Sequence, residues 1–174
     1  MTNKIEFILK QEDFETKRDY SFRAVYVDLF AHRKGKNFVF PRRDYFFFHD
    51  IDKRKIDLNL VIRLHREARD FVNSLYKMPK ALRFTVPNIA SVFYSQEFVT
   101  GDIIEFAQRN TRSVIGGEIQ QIFAIDFKSG RFYSQGTNTV RVMAEGASVK
   151  MKFNKIDPQN RAFYIVEKIV RQIQ

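Results

Sequence analysis

The side chains best suited to binding are concentrated between positions 32 and 55, in the segment HRKGKNFVFPRRDYFFFHDIDKRK. This segment holds eight Lys or Arg, six Phe or Tyr and three Asp, so it carries five of the chain's ten net positive charges. Cationic side chains neutralise phosphates, and flat rings beside them stack on bases. The same composition also describes two strands whose rings fill a core while the turns between them are solvated.

We predict that this segment forms a polyanion-binding surface, with cations on the phosphates and Tyr45 or Phe47 as the stacking platform. Four consecutive aromatic residues cannot all point outward from one strand, so either Phe46 and Phe48 or the other two are buried. A later strand adds two lysines to the surface. The predicted cations are Arg33, Lys34, Lys36, Arg42, Arg43, Lys53, Arg54, Lys55, Lys150 and Lys152.

Acid–base or metal chemistry would depend on three histidines. His49 precedes Asp50 and Asp52, but a strand places the histidine and the two carboxylates on opposite faces, so a metal would need ligands from elsewhere. His65 falls on the apolar face of a predicted helix and is interpreted as a core histidine, and His32 as a solvated one. We therefore predict no metal and no cofactor, and keep an enzymatic site around His49 as a third hypothesis.

Other catalytic signatures are missing from the sequence. The chain has no cysteine, which excludes disulfides, thiol nucleophiles and zinc sites built on thiolates. Gly116 and Gly117 lack the spacing and the lysine of a phosphate-binding loop, and neither GxGxxG nor GxSxG occurs. We interpret the chain as a non-enzymatic protein.

The charge of +10 favours anionic partners. The leading prediction is a module that binds nucleic acid or another polyanion, mainly through the phosphate backbone. The alternative is a protein–protein interaction domain, a subunit or an inhibitor, that docks on an acidic partner through the same basic face or an exposed sheet edge. No apolar run approaches the roughly 18 residues of a membrane span, so we expect no membrane partner and a cytoplasmic location.

Length and composition predict one domain with a substantial core. The 174 residues are 44% hydrophobic, and 19 Phe with seven Tyr favour a sheet. The predicted fold class is α+β: a mainly antiparallel sheet or a partly closed barrel, with one long helix, about 57–77, packed on it. A seam within the single domain would lie near 77–81.

The predicted helix 57–77 has an apolar stripe that recurs at three and four residue steps and includes Val61, Ala68 and Val72. Asp57 is placed to cap its N-terminus, and Pro79 forces it to stop. A second, short helix is favoured over a strand at 100–110.

Alternating hydrophobicity predicts the strands. A hairpin turn at 33–36 would connect the strand at 20–30 to a short strand at 37–40, which Pro41 would end. The strands are predicted at 4–9, 20–30, 45–51, 82–86 and 118–127, followed after a turn at 128–130 by a meander with strands at 131–134, 139–144 and 148–156.

Two segments are ambiguous in the sequence. Residues 89–94 fit a strand or a short helix. Residues 158–173 fit a helix that starts at Asp157-Pro158, but the same dipeptide also opens a type I turn, and we favour a hairpin with a C-terminal helix close behind it.

Overall fold

A computed structural model describes residues 1–37, 40–77, 85–109, 118–134 and 158–174. These residues form five helices and six strands. The helices are α1 (Thr2–Gln11), α2 (Ile51–Arg54), α3 (Leu58–Ser74), α4 (Gly101–Arg109) and α5 (Pro158–Ile173). The strands are β1 (Glu15–Phe22), β2 (Val25–Asn37), β3 (Phe40–Asp50), β4 (Val86–Ser95), β5 (Ile119–Asp126) and β6 (Arg131–Ser134).

The six strands form one open sheet in which they follow chain order. Strands β1, β2 and β3 are antiparallel neighbours, β3, β4 and β5 run parallel, and β6 returns antiparallel to β5. The parallel pairs require crossovers, which α2 with α3 and then α4 provide. The mixed α+β prediction is therefore confirmed, whereas the partly closed barrel and the single long helix are wrong.

Helices cover both faces of the sheet. One core cluster joins Val61 and Ala68 of α3 and Ile103 of α4 to one face. The other joins Leu9 of α1 and Ile169 of α5 to the opposite face. Since the crossover helices and the terminal helices lie on different faces, the central strands are covered by helices on both faces.

This burial on both faces explains why four consecutive residues of β3 are aromatic. Successive side chains of a strand point to opposite faces, so Tyr45 and Phe47 enter the α3–α4 cluster while Phe46 and Phe48 enter the α1–α5 cluster. All four are buried. Each contributes about 1.5–3 kcal/mol of hydrophobic stabilisation, so β3 contributes strongly to both core clusters.

Helix α3 confirms the predicted helix and its cap. The Asp57 carboxylate accepts a hydrogen bond from the backbone N–H of Leu60 at 2.8 Å. The helix ends at Ser74, three residues before the predicted limit, and Pro79 lies outside the described residues. The short helix favoured at 100–110 is confirmed as α4.

The strand predicted at 4–9 is wrong, because these residues belong to α1. Ile5, Ile8 and Leu9 are buried at helical spacing, and Phe7 is 64% exposed. The alternation of Ile5, Phe7 and Leu9 fits a strand equally well, and too few residues were available to separate the two periods.

The single strand predicted at 20–30 is also wrong. A turn at Arg23 and Ala24 divides it into β1 and β2, and Arg23 adopts a left-handed φ of 51° without the glycine that usually marks such a turn. Farther along, Val27 and Phe30 both enter the α3–α4 cluster, so the alternation shifts by one at Asp28.

The turn predicted at 33–36 lies inside a longer hairpin. Strand β2 continues to Asn37 and pairs antiparallel with β3, which begins at Phe40 and passes through Pro41. The hairpin between the two strands is confirmed, but residues 33–36 belong to β2 and do not form its turn, and Pro41 does not end a strand.

The C-terminal half agrees with the sequence only in part. Residues 89–94 form a strand, within β4, and β5 and β6 confirm the strands at 118–127 and 131–134. Gly130, with φ +65°, lies in the turn between them. The favoured hairpin at 158–173 is wrong: these residues form α5, whose buried residues keep helical spacing. The predicted strands at 139–144 and 148–156, residues 82–84 and most of the seam lie outside the described residues.

Candidate polyanion-binding groove

A concave recess of about 310 Å³ lies on the α3 side of the sheet, where β1, β2 and β3 run beside the end of α3. We call it the β1–β3 groove. Basic side chains from three adjacent strands line it: Lys17, His32, Lys34 and Arg43. Tyr20, Phe30, Tyr45, Phe71 and Leu75 form its less polar wall.

Strand register explains why these cations lie around the same groove. Lys34 of β2 lies opposite Arg43 of β3, and His32 lies opposite Tyr45. Lys17 of β1 lies opposite Phe30, four residues back along β2 from Lys34, which places it about 13 Å away along the strand. The cations therefore flank a central patch from two ends.

The positive field of the groove reaches His32. Burial lowers the pKa of His32, and the charges of Lys17, Lys34 and Arg43 lower it further, against the opposing effect of the Glu15 carboxylate. Nε2 of His32 lies 3.4 Å from Oε2 of Glu15. An anion bound among these cations would act on His32 in the opposite direction and raise its pKa.

A line of rings forms the floor of the groove. Tyr20 stacks on Phe30 at 5.1 Å between centroids, Phe30 lies 5.5 Å from His32, and His32 lies 6.5 Å from Tyr45. Tyr20 and His32 are partly exposed, whereas the other two rings are buried. Lys17 Nζ lies 5.3 Å from the centroid of Tyr20.

Tyr45 also helps to hold the side chain of Arg43 in place. Its hydroxyl lies 3.3 Å from the hydroxyl of Tyr76, and the guanidinium of Arg43 lies 5.6 Å from the Tyr76 ring centroid. A side-chain hydrogen bond with Tyr45 raises the pKa of Arg43, so the guanidinium stays charged. The two tyrosines thus orient Arg43 at the rim of the groove.

Arg33, the first predicted cation, is a structural residue. It is only 8% exposed, forms an ion pair with Asp44 at 3.1 Å and donates a hydrogen bond to the carbonyl of Glu12 at 2.6 Å. Its guanidinium also lies 4.2 Å from the ring centroid of Phe14. These contacts join the α1–β1 connection to β2 and β3, which leaves Arg33 committed to the fold.

The predicted stacking platform is not open. Tyr45 is 4% exposed and Phe47 is fully buried, so neither presents a ring face to a base. Phe46 and Phe48 are buried on the other side of the sheet. Accessible ring surface in the groove comes instead from Tyr20, His32 and Phe71, which are partly exposed, and the exposed Leu75 adds apolar surface at the rim.

The cations predicted at 53–55 lie at the opposite end of β3, about 23 Å from Arg43. Lys53 forms an ion pair with Asp28 at 3.2 Å. Arg54 lies 3.6 Å from the ring centroid of Tyr26 and donates to its carbonyl at 3.0 Å. Lys55 ends α2 with a left-handed φ of 50°. The structure does not bring these three residues to the groove.

For the remaining four predicted cations the structure describes either the backbone alone or nothing. The backbones of Lys36 and Arg42 lie on β2 and β3, just beyond the groove, and only their strand positions are described. Lys150 and Lys152 lie outside the described residues. Of the predicted cations, Arg33, Lys34 and Arg43 therefore line the groove, and Arg33 is already paired with Asp44.

Sequence reasoning missed Lys17, Tyr20, His32, Phe71 and Leu75 as groove residues. Lys17 and Tyr20 enter only because β1 pairs with β2 after a turn that lacks glycine. Phe71 and Leu75 enter because α3 crosses this end of the sheet. The available signal was the high density of charged residues at 15–19 followed by Tyr20, but it does not specify a partner strand.

The other histidines do not form an accessible catalytic site. His65 is buried, with Nδ1 2.8 Å from Ser91 Oγ and Nε2 3.3 Å from Gln120 Oε1, and burial lowers its pKa to about 4. This confirms it as a core histidine. Ser91 is fully buried, so its hydroxyl is not exposed to a substrate. Among the described residues, no group of three His, Asp or Glu side chains has the arrangement to hold a metal ion.

Two further findings bear on function. No helix in the described ranges has both the length and the apolar character needed to cross a bilayer. Comparisons of the chain with models of protein families, with curated proteins and with solved structures give no match. The chemistry of the groove is therefore the feature that indicates a function.

Proposed function

We propose that the chain is a non-enzymatic module that binds a polyanion, specifically nucleic acid, through the β1–β3 groove and mainly through phosphate contacts. The observation that carries the proposal is the convergence of Lys17, Lys34 and Arg43 on one recess. No carboxylate in the described part of the chain forms an ion pair with any of the three.

Two cations elsewhere on the protein differ in this respect. Lys10 is paired with Glu6 at 2.9 Å, and Lys53 with Asp28 at 3.2 Å. A cation that already has a carboxylate partner must give it up to bind a phosphate, whereas the three groove cations need not. The groove therefore has a greater capacity for phosphate than these paired sites.

The shape of the site favours nucleic acid over an acidic protein. A protein partner typically covers about 800 Å² on each side of an interface. The charges here instead surround a small concave recess whose floor consists of rings, which suits a chain of phosphates with flat groups attached. Docking on an acidic protein remains the alternative that the experiment must separate.

The test is the salt dependence of binding to a fluorescein-labelled twelve-nucleotide oligothymidylate, measured by anisotropy between 50 and 200 mM salt. Three phosphate contacts on a single strand give a slope of log affinity against log salt of about −2, which is about a 20-fold loss over this range. The double variant K34Q/R43Q retains one contact, so its slope falls to about −0.7.

The matched control is K128Q/R131Q, which removes one Lys and one Arg from exposed positions near the β5–β6 turn. It changes the net charge by the same amount but lies at the opposite edge of the sheet. We expect it to bind like the wild type. Equal losses in both double variants would mean that binding follows net charge and would contradict the groove. Tighter binding to polyglutamate than to the oligonucleotide would favour the acidic-protein alternative.

A further inference from the structure

We infer that the β1–β3 groove accepts one unstacked base of a single strand, with the flanking phosphates held at its two ends. This inference rests on the proposed function and adds the class of nucleic acid to it. A double-stranded ligand keeps its bases paired and stacked, so it offers the groove only its backbone.

The size of the recess limits its occupant. At about 310 Å³ it lies at the lower end of pockets that hold small organic molecules. A recess of this size suits one nucleotide unit and does not extend to a run of stacked bases. Purely electrostatic binding of a backbone would need no such concavity.

The polarity of the recess supports a base as the occupant. Its floor is the line of rings from Tyr20 through Phe30 and His32, and the apolar Leu75, 46% exposed, lies at the rim. Rings stack on any base with little dependence on sequence, and each such contact strengthens binding substantially. An anionic group alone would be poorly accommodated against these rings.

The charges lie on two sides of the His32 and Phe30 rings. Lys34 and Arg43 face each other across β2 and β3 at one end, and Lys17 lies about 13 Å along the strands, opposite Phe30, with Tyr20 three residues beyond it. A base on these rings would have phosphates on both sides within reach of cations. Lys17 Nζ now lies over the Tyr20 ring, so an incoming base would take its place there.

The experiment compares three probes on the full chain at one salt concentration: the oligothymidylate, an abasic sugar–phosphate oligomer of the same length, and a DNA hairpin with the same number of phosphates. We expect the oligothymidylate to bind at least about fivefold more tightly than either of the others, which corresponds to one base stacked on a ring. Tyr20→Leu should abolish the difference between the oligothymidylate and the abasic probe, and Tyr20→Phe should retain it.

The outcomes separate this inference from the proposed function. Equal affinity of the wild type for the oligothymidylate and either other probe, with binding still sensitive to K34Q/R43Q, would overturn the single-base recess and leave polyanion binding in place. Absence of salt-dependent binding to all three probes would remove both. The wild-type comparison decides the matter even if Tyr20→Leu proves unstable, which urea unfolding would reveal.

Discussion

Acidification from about pH 7 to pH 4.5 is expected to destabilise the fold through His49. This side chain is fully buried on β3 and stacks on Phe93 at 5.0 Å between centroids. Within the described residues, neither of its ring nitrogens has a hydrogen-bond partner. Burial, with smaller contributions from the charges of Arg54 and His65, lowers the pKa of His49 to about 3.

The direction of the effect follows from proton binding. An imidazole of the unfolded chain has a pKa near 6.5, so as the pH falls the unfolded state takes up a proton before the folded state does. Stability is therefore lost as the pH falls from about 6.5 towards about 3. A pH of 4.5 lies about two units below the pKa of His49 in the unfolded chain. The free energy of unfolding is therefore about 2.5 kcal/mol lower at pH 4.5 than at pH 7.

The assay is urea unfolding of the wild type and of His49→Leu at both pH values. Leucine cannot take up a proton, while His65 is present in both proteins and its contribution cancels. We expect the wild type to lose about 2.5 kcal/mol more than the variant on acidification. At pH 7 the variant should be as stable as the wild type or more so, because it removes a buried polar group that lacks a partner. The same pH dependence in both proteins would refute the burial of a neutral His49.

The remaining predictions separate structural residues from binding residues. Arg33→Met is expected to lower the free energy of unfolding by about 3–5 kcal/mol, since it removes one partner of the buried ion pair with Asp44; a thermal melt unchanged from the wild type would contradict this role. K34Q/R43Q should lower the free energy of unfolding by no more than about 1 kcal/mol, since Lys34 is exposed and Arg43 loses only its contacts with Tyr45 and Tyr76; a larger loss would show that these residues hold the fold together. Asp57→Ala should cost about 1 kcal/mol and Asp57→Asn much less, because asparagine also caps helices; equal costs in urea would argue against the cap.

The sequence was most informative where one period dominates a long segment. Helix α3 and its Asp57 cap were predictable because the apolar stripe repeats over several turns. The burial of the Tyr45 to Phe48 run also followed from alternation, since four adjacent rings cannot share one face. In both segments the local pattern and the tertiary structure favour the same conformation.

Segments that are short, or whose pattern fits both a helix and a strand, were not predictable. Ile5, Phe7 and Leu9 satisfy a strand period within a helix, and the turn at Arg23 lacks the glycine that would have marked it. Helix α5 carries strong strand formers at 163–166, and packing against the sheet overrides that preference. The parallel pairing of β3 with β4 depends on a long crossover, which leaves no local signal.

The candidate site was predictable only in composition. The basic and aromatic segment does supply Lys34 and Arg43, but burial commits Arg33 and Phe47 to the core. Lys17 reaches the groove through strand pairing alone. Residue types thus predicted the chemistry, whereas register determined which side chains share the site.

The most direct test of the groove is the pKa of His32, measured by NMR titration of the three imidazole rings with and without inorganic tripolyphosphate. In the free protein we expect a pKa below the ordinary value, and a higher one in K34Q/R43Q, because Lys34 and Arg43 both lower it. Saturating tripolyphosphate should raise the pKa of His32 in the wild type, leave the buried His49 and His65 unchanged, and have little effect on His32 in the variant. Binding of tripolyphosphate that leaves the pKa of His32 unchanged would place the anion elsewhere and contradict the account.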